Sequence, residues 1–391
     1  MEVLLLALTI TQYVAMVTAN QNTCPAVRYS GSFKADDHVS EHALLGHSYK
    51  NVTTSNIQEC FNICVMDCAC VSYQLFGTRC ELLDGDRHTA PIDFKRKTGY
   101  KYYELNQRIS LPQYVPSVCT GHCRNSCCSF VTCLNGGTCI EQCDDVKRKF
   151  QCLCIPGIFT GRMCEKPMTC AAHGKGLVSG LYPITLPSGD KTNVYCDFHS
   201  QSGFVWTLIE SFAFANMLKY GYKPFTTDFP VNQADTFNWT DYRLSRLVML
   251  HIRSNSTLFR ATCKYETDGL VTRDYIRGLL TNFDIIMHAS GSICAHVQYI
   301  NVRGINCSEC TVFCYQGPNH AFVDSGLGSI NGCQWDGRQG SEKQWSNNLN
   351  RYMYDDNFGF YYIRNQEHRC SSSYPSTTQW WLGNPEYSPN N

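Results

Sequence analysis

Sulfur is the reactive element this chain carries most of: 25 of its 391 residues are cysteine. In a reducing compartment such a load calls for metal or redox catalysis; in an oxidising one, thiols couple in pairs and staple the chain. Motifs for the first alternative are missing. The sequence has no nucleophile elbow, no H-E-x-x-H, no phosphate-cradling glycine loop and no deaminase-type zinc motif. His251, His288, His296, His320 and His368 are scattered without a partner motif. Cys307-x2-Cys310-x3-Cys314 has the look of metal spacing, but in a cysteine-rich export product disulfides are the expected use. The expectation is therefore a protein without enzymatic activity. The cysteine count is odd, which leaves at least one thiol free or bridging to another molecule, so a disulfide-linked oligomer is open. Aromatic residues crowd the C-terminal end, among them Tyr352, Tyr354, Phe358, Phe360, Tyr361, Tyr362, Trp380 and Trp381. Aromatic faces stack on sugar rings, which makes Trp380 and Trp381 candidate ligand-binding residues, with strand packing as the alternative.

Composition narrows the class. Lys+Arg and Asp+Glu are both 33, so no net charge steers the chain toward nucleic acid. An apolar run from Leu4 toward Val17, followed by small residues to Ala19, reads as a secretory signal peptide over 1–19. No later stretch offers 18 consecutive apolar residues, so no membrane span is expected. Sequons at Asn51, Asn238, Asn255 and Asn306 are candidate glycosylation sites. Together these place the protein outside the cell, in secretions or matrix, with extracellular glycans or matrix proteins as partners.

The elements that would position these groups fall into three modules. Over 24–105, Ser55 and Gln58 have the spacing of a capping box. Ile57, Cys60, Phe61, Cys64, Val65 and Cys68 then recur at helical spacing. A strand at Cys70–Phe76 turns at Gly77 and returns through Cys80–Leu83. Cys60, Cys64, Cys70, Tyr73, Cys80 and Leu82 resemble the C-x3-C, C-x-x-Y, C-x-L pattern of a PAN/apple module. The resemblance implies a small disulfide-rich α+β fold with bridges Cys60–Cys80 and Cys64–Cys70, and binding of protein or carbohydrate. Cys24 and Cys68 are left over and open to pairing with each other. Lys95-Arg96-Lys97 with Lys101 is a basic cluster suited to a sulfated glycan or to a solvated strand edge.

Residues 106–118, with Pro112 and Pro116, read as an extended linker. Ten cysteines follow between Cys119 and Cys164. Leu134-Asn135-Gly136-Gly137-Thr138 before Cys139, and Cys152-Leu153-Cys154 before Pro156-Gly157 and Thr160-Gly161, closely resemble an EGF-like module over 119–165. That implies an all-β, three-bridge knot: Cys128–Cys139, Cys133–Cys152 and Cys154–Cys164. Cys119, Cys123, Cys127 and Cys143 are extra. No carboxylate stands just before the first cysteine of the knot, so a plain spacer is expected rather than a calcium-binding module.

Over 166–391, Val194, Cys196 and Phe198 alternate with Tyr195 and Asp197, and Phe204, Trp206 and Leu208 alternate likewise: strands joined by turns at Pro187–Asp190 and Ser202-Gly203. A Cys170–Cys196 bridge would staple the first hairpin. Gly180-Leu181-Tyr182-Pro183-Ile184, Val194-Tyr195-Cys196-Asp197 and Trp206-Thr207 resemble the opening of a fibrinogen-like C-terminal domain; the likeness fades after about 210. It implies a larger α+β domain, consistent with strand-like runs at Leu247–Ile252 and Ile293–Val302. That family often holds calcium by an acidic pair ahead of a cysteine, which points to Asp355 and Asp356 as a calcium site; no other cofactor is expected. Similar module orders occur in cnidarian secreted proteins, including coral skeletal organic matrix. The resemblance thus implies a secreted recognition or adhesion protein binding glycan or protein through its fibrinogen-like end, or alternatively a structural matrix scaffold.

Overall fold

Cysteine pairing and strand alternation decide where each element lies. The computed structural model describes residues 24–110, 123–174, 176–233, 237–324, 332–338, 343–346, 351–354, 357–361 and 363–387, for 343–346 and 351–354 the backbone only. The expected signal peptide, 1–19, lies outside the described residues. The chain forms two units, one of residues 1–154 with 162–164 and one of 155–161 with 165–391.

The first unit contains β1 (Arg28–Gly31), β2 (Val39–Leu44), β3 (Ser48–Thr53), α1 (Ile57–Met66), β4 (Ser72–Phe76), β5 (Arg79–Leu83), β6 (Phe94–Glu104), β7 (Gln107–Ser110), β8 (Thr138–Glu141) and β9 (Phe150–Leu153). Five of these form an antiparallel sheet in the order β2-β6-β4-β5-β3. Helix α1 lies on one face because its buried stripe of Cys60, Phe61, Cys64 and Val65 meets Tyr73, Cys80, Leu82 and Tyr103 of the sheet. Bonds Cys60–Cys80 and Cys64–Cys70 fasten it there. The cap sits one residue later than Ser55 and Gln58 suggested. Asn56 accepts the Glu59 N–H, and the Glu59 carboxylate reaches back to the Ser55 N–H. The same reciprocal logic holds with a carboxylate in place of the amide.

Two expectations are corrected in this unit. Cys68 bonds to Cys127, not to Cys24, which is itself in another disulfide. The reading of 106–118 as linker is also wrong at its start, since β7 pairs with β1; residues 111–122 lie outside the described set. The β8–β9 hairpin carries Cys128–Cys139 and Cys133–Cys152, with Cys154–Cys164 beside it and an added Cys123–Cys143 bond.

The second unit is mostly β. Its strands are β10 (Phe159–Thr160), β11 (Lys166–Pro167), β12 (Gly180–Thr185), β13 (Lys191–Asp197), β14 (Phe204–Ala213), β15 (Asp241–Arg243), β16 (Leu258–Cys263), β17 (Tyr275–Leu279), β18 (Gly291–Val302), β19 (Ile305–Gln316), β20 (Phe322–Asp324), β21 (Lys343–Ser346), β22 (Arg351–Tyr354), β23 (Asn357–Phe358) and β24 (Thr377–Pro385). Three short helices interrupt them: α2 (Met217–Tyr220), α3 (Arg246–Ser254) and α4 (Tyr265–Asp268). One sheet of eleven strands runs β12-β13-β14-β24-β16-β17-β18-β19-β20-β23, with β15 beside β14. The expected α+β balance gives way to this sheet. Leu247–Ile252, expected as a strand, is inside α3: Ser245 caps it, and Val248, Met249 and Ile252 are buried while Leu247 is exposed. Its apolar residues follow a helical stripe that a short window reads as a continuous run. Ile293–Val302 falls in β18, as a strand.

Strands β14, β16 and β24 are buried on both faces along nearly their whole length, which places charged side chains inside, where they need partners. Arg260 meets Asp197 at 2.6 Å, with its guanidinium stacked over Trp206 and Trp381. Glu210 takes Arg243 on one oxygen and the His320 Nε2 on the other. Gly383 has to be glycine: a Cβ there would stand 2.7 Å from the Trp206 ring.

Candidate recognition surface

The first unit presents a cluster of exposed positive charge on β6. This strand pairs with β4 over Tyr100–Glu104, and with β2 on either side of a break in register. Ser40 faces Lys101 and His42 faces Arg96, so Lys97–Tyr100 stand opposite Glu41 alone and bulge outward. Both sides of the bulge have left-handed backbone, Glu41 at φ 56 and Gly99 at φ 83. Gly99 is required twice over, since a Cβ would also meet the Phe76 ring at 2.9 Å. The Glu41 carboxylate accepts the Gly99 N–H at 3.1 Å and holds the bulge.

Lys95, Arg96, Lys97 and Lys101 are all exposed on this ribbon, and none makes an ion pair among the described residues. Some other cations of the unit are paired: Lys50 meets Asp67, Arg79 meets Glu81, Arg87 meets Glu104 and Lys147 meets Asp86. Beside the bulge, Phe76 is 46% exposed, with the tilted Tyr100 ring at 5.0 Å and the Arg79 guanidinium over its ring at 5.6 Å. The arrangement offers exposed positive charge beside a partly exposed aromatic cluster.

The expected boundary between a first and a second module is a seam inside one unit. Besides Cys68–Cys127, the Lys149 amine crosses it, donating to the Val65 and Asp67 carbonyls at the end of α1 at 2.7 and 3.0 Å and lying over the Tyr29 ring. A cation there meets the negative end of the helix. Burial nevertheless holds the Lys149 amine down to about 8. Nearby, burial pushes the Asp86 carboxyl up, but Lys147 and the Thr89 and His88 amides more than offset it and keep it at about 2. Asn125 donates to the Tyr29 hydroxyl and the Gln142 carbonyl, and Arg162 to the Ala69 and Asp84 carbonyls. Sequence reasoning missed Lys149 because a lone lysine in a loop matches no motif. The one available signal was that Cys68 and Cys127 both fell outside their modules' patterns.

The tryptophan pair expected to bind ligand in the second unit does not reach the surface. Trp380 and Trp381 are buried, 1% and 0% exposed, and pack against Phe225, His320, Tyr195 and Tyr265; they are core, and no sugar ring can stack on them. Asp355 and Asp356 lie outside the described residues. Cys170–Cys196 is bonded, as are Cys263–Cys370 and Cys294–Cys333. Cys307 and Cys310 bond to each other rather than to a metal. Cys314 is the free cysteine among the described residues; it is fully buried, and burial pushes its thiol far up, so it offers no bridge to another molecule. One group has metal-ligand spacing, Cys263, His368 and Cys370, but its two sulfurs are bonded to each other. Asn51, Asn238 and Asn306 are exposed, while Asn255 is half-buried, its amide held by Ser254 and its side chain set against Gly157.

A PAN domain model matches residues 36–107. No curated protein and no solved structure matches the chain. PAN domains mediate protein or carbohydrate interactions, and a PAN module with this many disulfides is typical of extracellular proteins. No helix among the described residues is long and apolar enough to cross a membrane.

Proposed function

We propose that this chain is a secreted, non-enzymatic recognition and adhesion protein that binds extracellular glycan or protein. The observation that carries the reading is the PAN module over 36–107, built into one disulfide-locked unit with an exposed and unpaired basic ribbon. The bridges Cys128–Cys139, Cys133–Cys152 and Cys154–Cys164 support an EGF-like reading of the knot. In this reading the knot is a buttress for the PAN sheet rather than a free spacer, because Lys149 and Cys127 belong to it. The hairpin β12–β13 with Cys170–Cys196, and the strand β14 that follows, support a fibrinogen-like second unit that adds a second contact. Two weak contacts on one chain raise avidity through effective concentration.

The alternative is a structural component of an extracellular or skeletal organic matrix, held there by glycosylation and cross-linking. An odd cysteine lends this alternative nothing when the free thiol is the buried Cys314. The test is an array of extracellular glycans and matrix proteins probed with the full secreted chain, with calcium and again with chelator. Specific binding supports recognition, and its loss on chelation points to a calcium-dependent site. A folded chain that binds nothing on the array in either condition sinks the recognition reading in favour of the scaffold.

A further inference from the structure

We propose that the Cys307–Cys310 bond is a thiol–disulfide exchange site: a dithiol reductant opens and recloses it, and the strand that carries it changes shape with its redox state. The proposal is independent of which ligand the chain binds.

The bond is made at the expense of its own strand. Both cysteines lie in β19, three residues apart. In a regular strand, residues three apart point to opposite faces, about 10 Å from each other. A disulfide spans Cα atoms no more than about 7 Å apart. Here the two Cα atoms are 6.2 Å apart. The strand contracts at Glu309, which has left-handed backbone at φ 49. Strands β18 and β19 pair in one register from Gly291–Gln316 to Val302–Ile305, and the pair that drops out is Gln298 with Glu309. Because the register is the same on either side, an extended Glu309 fits back into the ladder opposite Gln298. The element therefore has two arrangements: bonded, with Glu309 left-handed, and open, with Glu309 in the sheet. A left-handed glutamate in mid-strand is an outlier that asks for a reason, and the bond supplies it.

Stability is a poor account of this bond. It closes a loop of three residues, against six or more for every other printed bond, so its loop-closure contribution is the smallest of the set. Cys307 is half-buried, so an attacking thiolate reaches its sulfur, while Cys310 is 4% exposed. In Cys170–Cys196 and Cys263–Cys370 both cysteines are buried. Cys294–Cys333 reaches the surface, but it closes 39 residues and neither of its cysteines is left-handed. An accessible bond held at the cost of its backbone belongs to the labile class.

A neighbouring segment reads the change. Trp335 brackets the contracted turn, its backbone N–H donating to the Thr311 carbonyl at 3.0 Å and its indole Nε1 to the Ile305 carbonyl at 3.4 Å. These anchors lie on either side of the bond. When Glu309 extends, the interval between them lengthens, and one tryptophan cannot hold both. The redox state of the bond is thus passed to residues 332–338.

In the exchange, one thiolate of the dithiol attacks the Cys307 sulfur. The S–S bond breaks and its electron pair leaves on Cys310, which takes a proton from water. The second thiol of the reductant then attacks the mixed disulfide and releases Cys307 as a thiol, leaving the reductant as its cyclic disulfide. Two electrons and two protons pass from the dithiol to the protein, and the reverse reaction recloses the bond. Cys314 takes no part: it is buried, four strand steps or about 13 Å beyond Cys310.

The test equilibrates the folded full chain with mixtures of reduced and oxidised dithiothreitol, alkylates it, and locates the label on each cysteine by fragment-ion mass spectrometry. Cys307 and Cys310 should be labelled together at a reduced-to-oxidised ratio about tenfold or more below the one that opens Cys294–Cys333. Cys170, Cys196, Cys263, Cys370 and Cys314 should stay unlabelled at that ratio. Glu309→Gly removes the steric cost of the left-handed residue, so it should raise the ratio needed by about five- to thirtyfold. A Cys307–Cys310 bond that opens no sooner than Cys294–Cys333, or a ratio unchanged in E309G, overturns the proposal. The open form is mimicked by C307S/C310S, in which hydrogen–deuterium exchange should slow around Glu309 and quicken over 332–338. Exchange unchanged at both places overturns the coupled change of shape.

Discussion

Replacing Lys149 with methionine separates two opposed effects at the seam of the first unit. Methionine keeps the length of the stem but removes the ammonium that donates to the Val65 and Asp67 carbonyls. Leaving those acceptors without a donor costs about 1 kcal/mol each. Against that stands the cost of holding a charge in a buried site. The amine is held down to about 8 from an ordinary 10.5, mainly by burial, which corresponds to about 3 kcal/mol. At neutral pH the two effects nearly cancel, so the variant should be within about 1 kcal/mol of the wild type. The pH dependence discriminates. Between about 8 and 10.5 the folded protein has released the Lys149 proton while the unfolded chain still holds it, so the unfolded state binds more protons and stability rises with pH. From pH 7 to pH 9.5 the wild type should gain about 2 kcal/mol over K149M. All six tryptophans, Trp206, Trp239, Trp335, Trp345, Trp380 and Trp381, belong to the second unit, so intrinsic fluorescence does not report this change. Pulse proteolysis in urea, with the β8–β9 peptides followed by mass spectrometry, does. A wild-type advantage that stays flat or shrinks across this pH range refutes the assignment of Lys149 as a buried charge under strain from burial.

Three further outcomes follow from the same geometry. Replacing Cys68 and Cys127 together by serine opens a loop of 59 residues and should lower the stability of the first unit by up to about 4 kcal/mol; urea midpoints read by the same proteolysis assay check it, and an unchanged midpoint contradicts a seam fastened by this bond. Glycosylation should reach Asn51, Asn238 and Asn306 but not Asn255, whose side chain is packed against Gly157; site occupancy by mass spectrometry after enzymatic deglycosylation decides this, and a filled Asn255 site contradicts the packing. Trp381→Ala empties a fully buried site and should destabilise the second unit by about 3–5 kcal/mol; tryptophan fluorescence during denaturation measures it, and a neutral result would return Trp381 to the surface.

What the sequence disclosed follows its local rules. The spacing of Cys60, Cys64, Cys70 and Cys80 needs only a helix beside a hairpin, so that part of the fold was legible from periodicity and a motif. Cys68–Cys127 was not, because it joins residues far apart in the chain and no local pattern records such a contact. The Trp380–Trp381 pair looks like a binding platform in sequence, since consecutive tryptophans on one strand must face opposite sides and one would ordinarily be exposed. Here β24 runs between β14 and β16, and both of its faces are covered. The same double burial hid Arg260 and Arg243, whose partners Asp197 and Glu210 lie on other strands. The basic residues of β6 were visible as composition, but the break in register opposite Glu41 was not, because it depends on the pairing of two strands.

The most direct test of recognition by the PAN-containing unit is a hydrogen–deuterium exchange footprint of the full chain with and without its tightest array ligand. Slowed exchange within residues 36–107 is the predicted result. Protection confined to residues 165–391, with 36–107 unchanged at saturating ligand, would contradict the account.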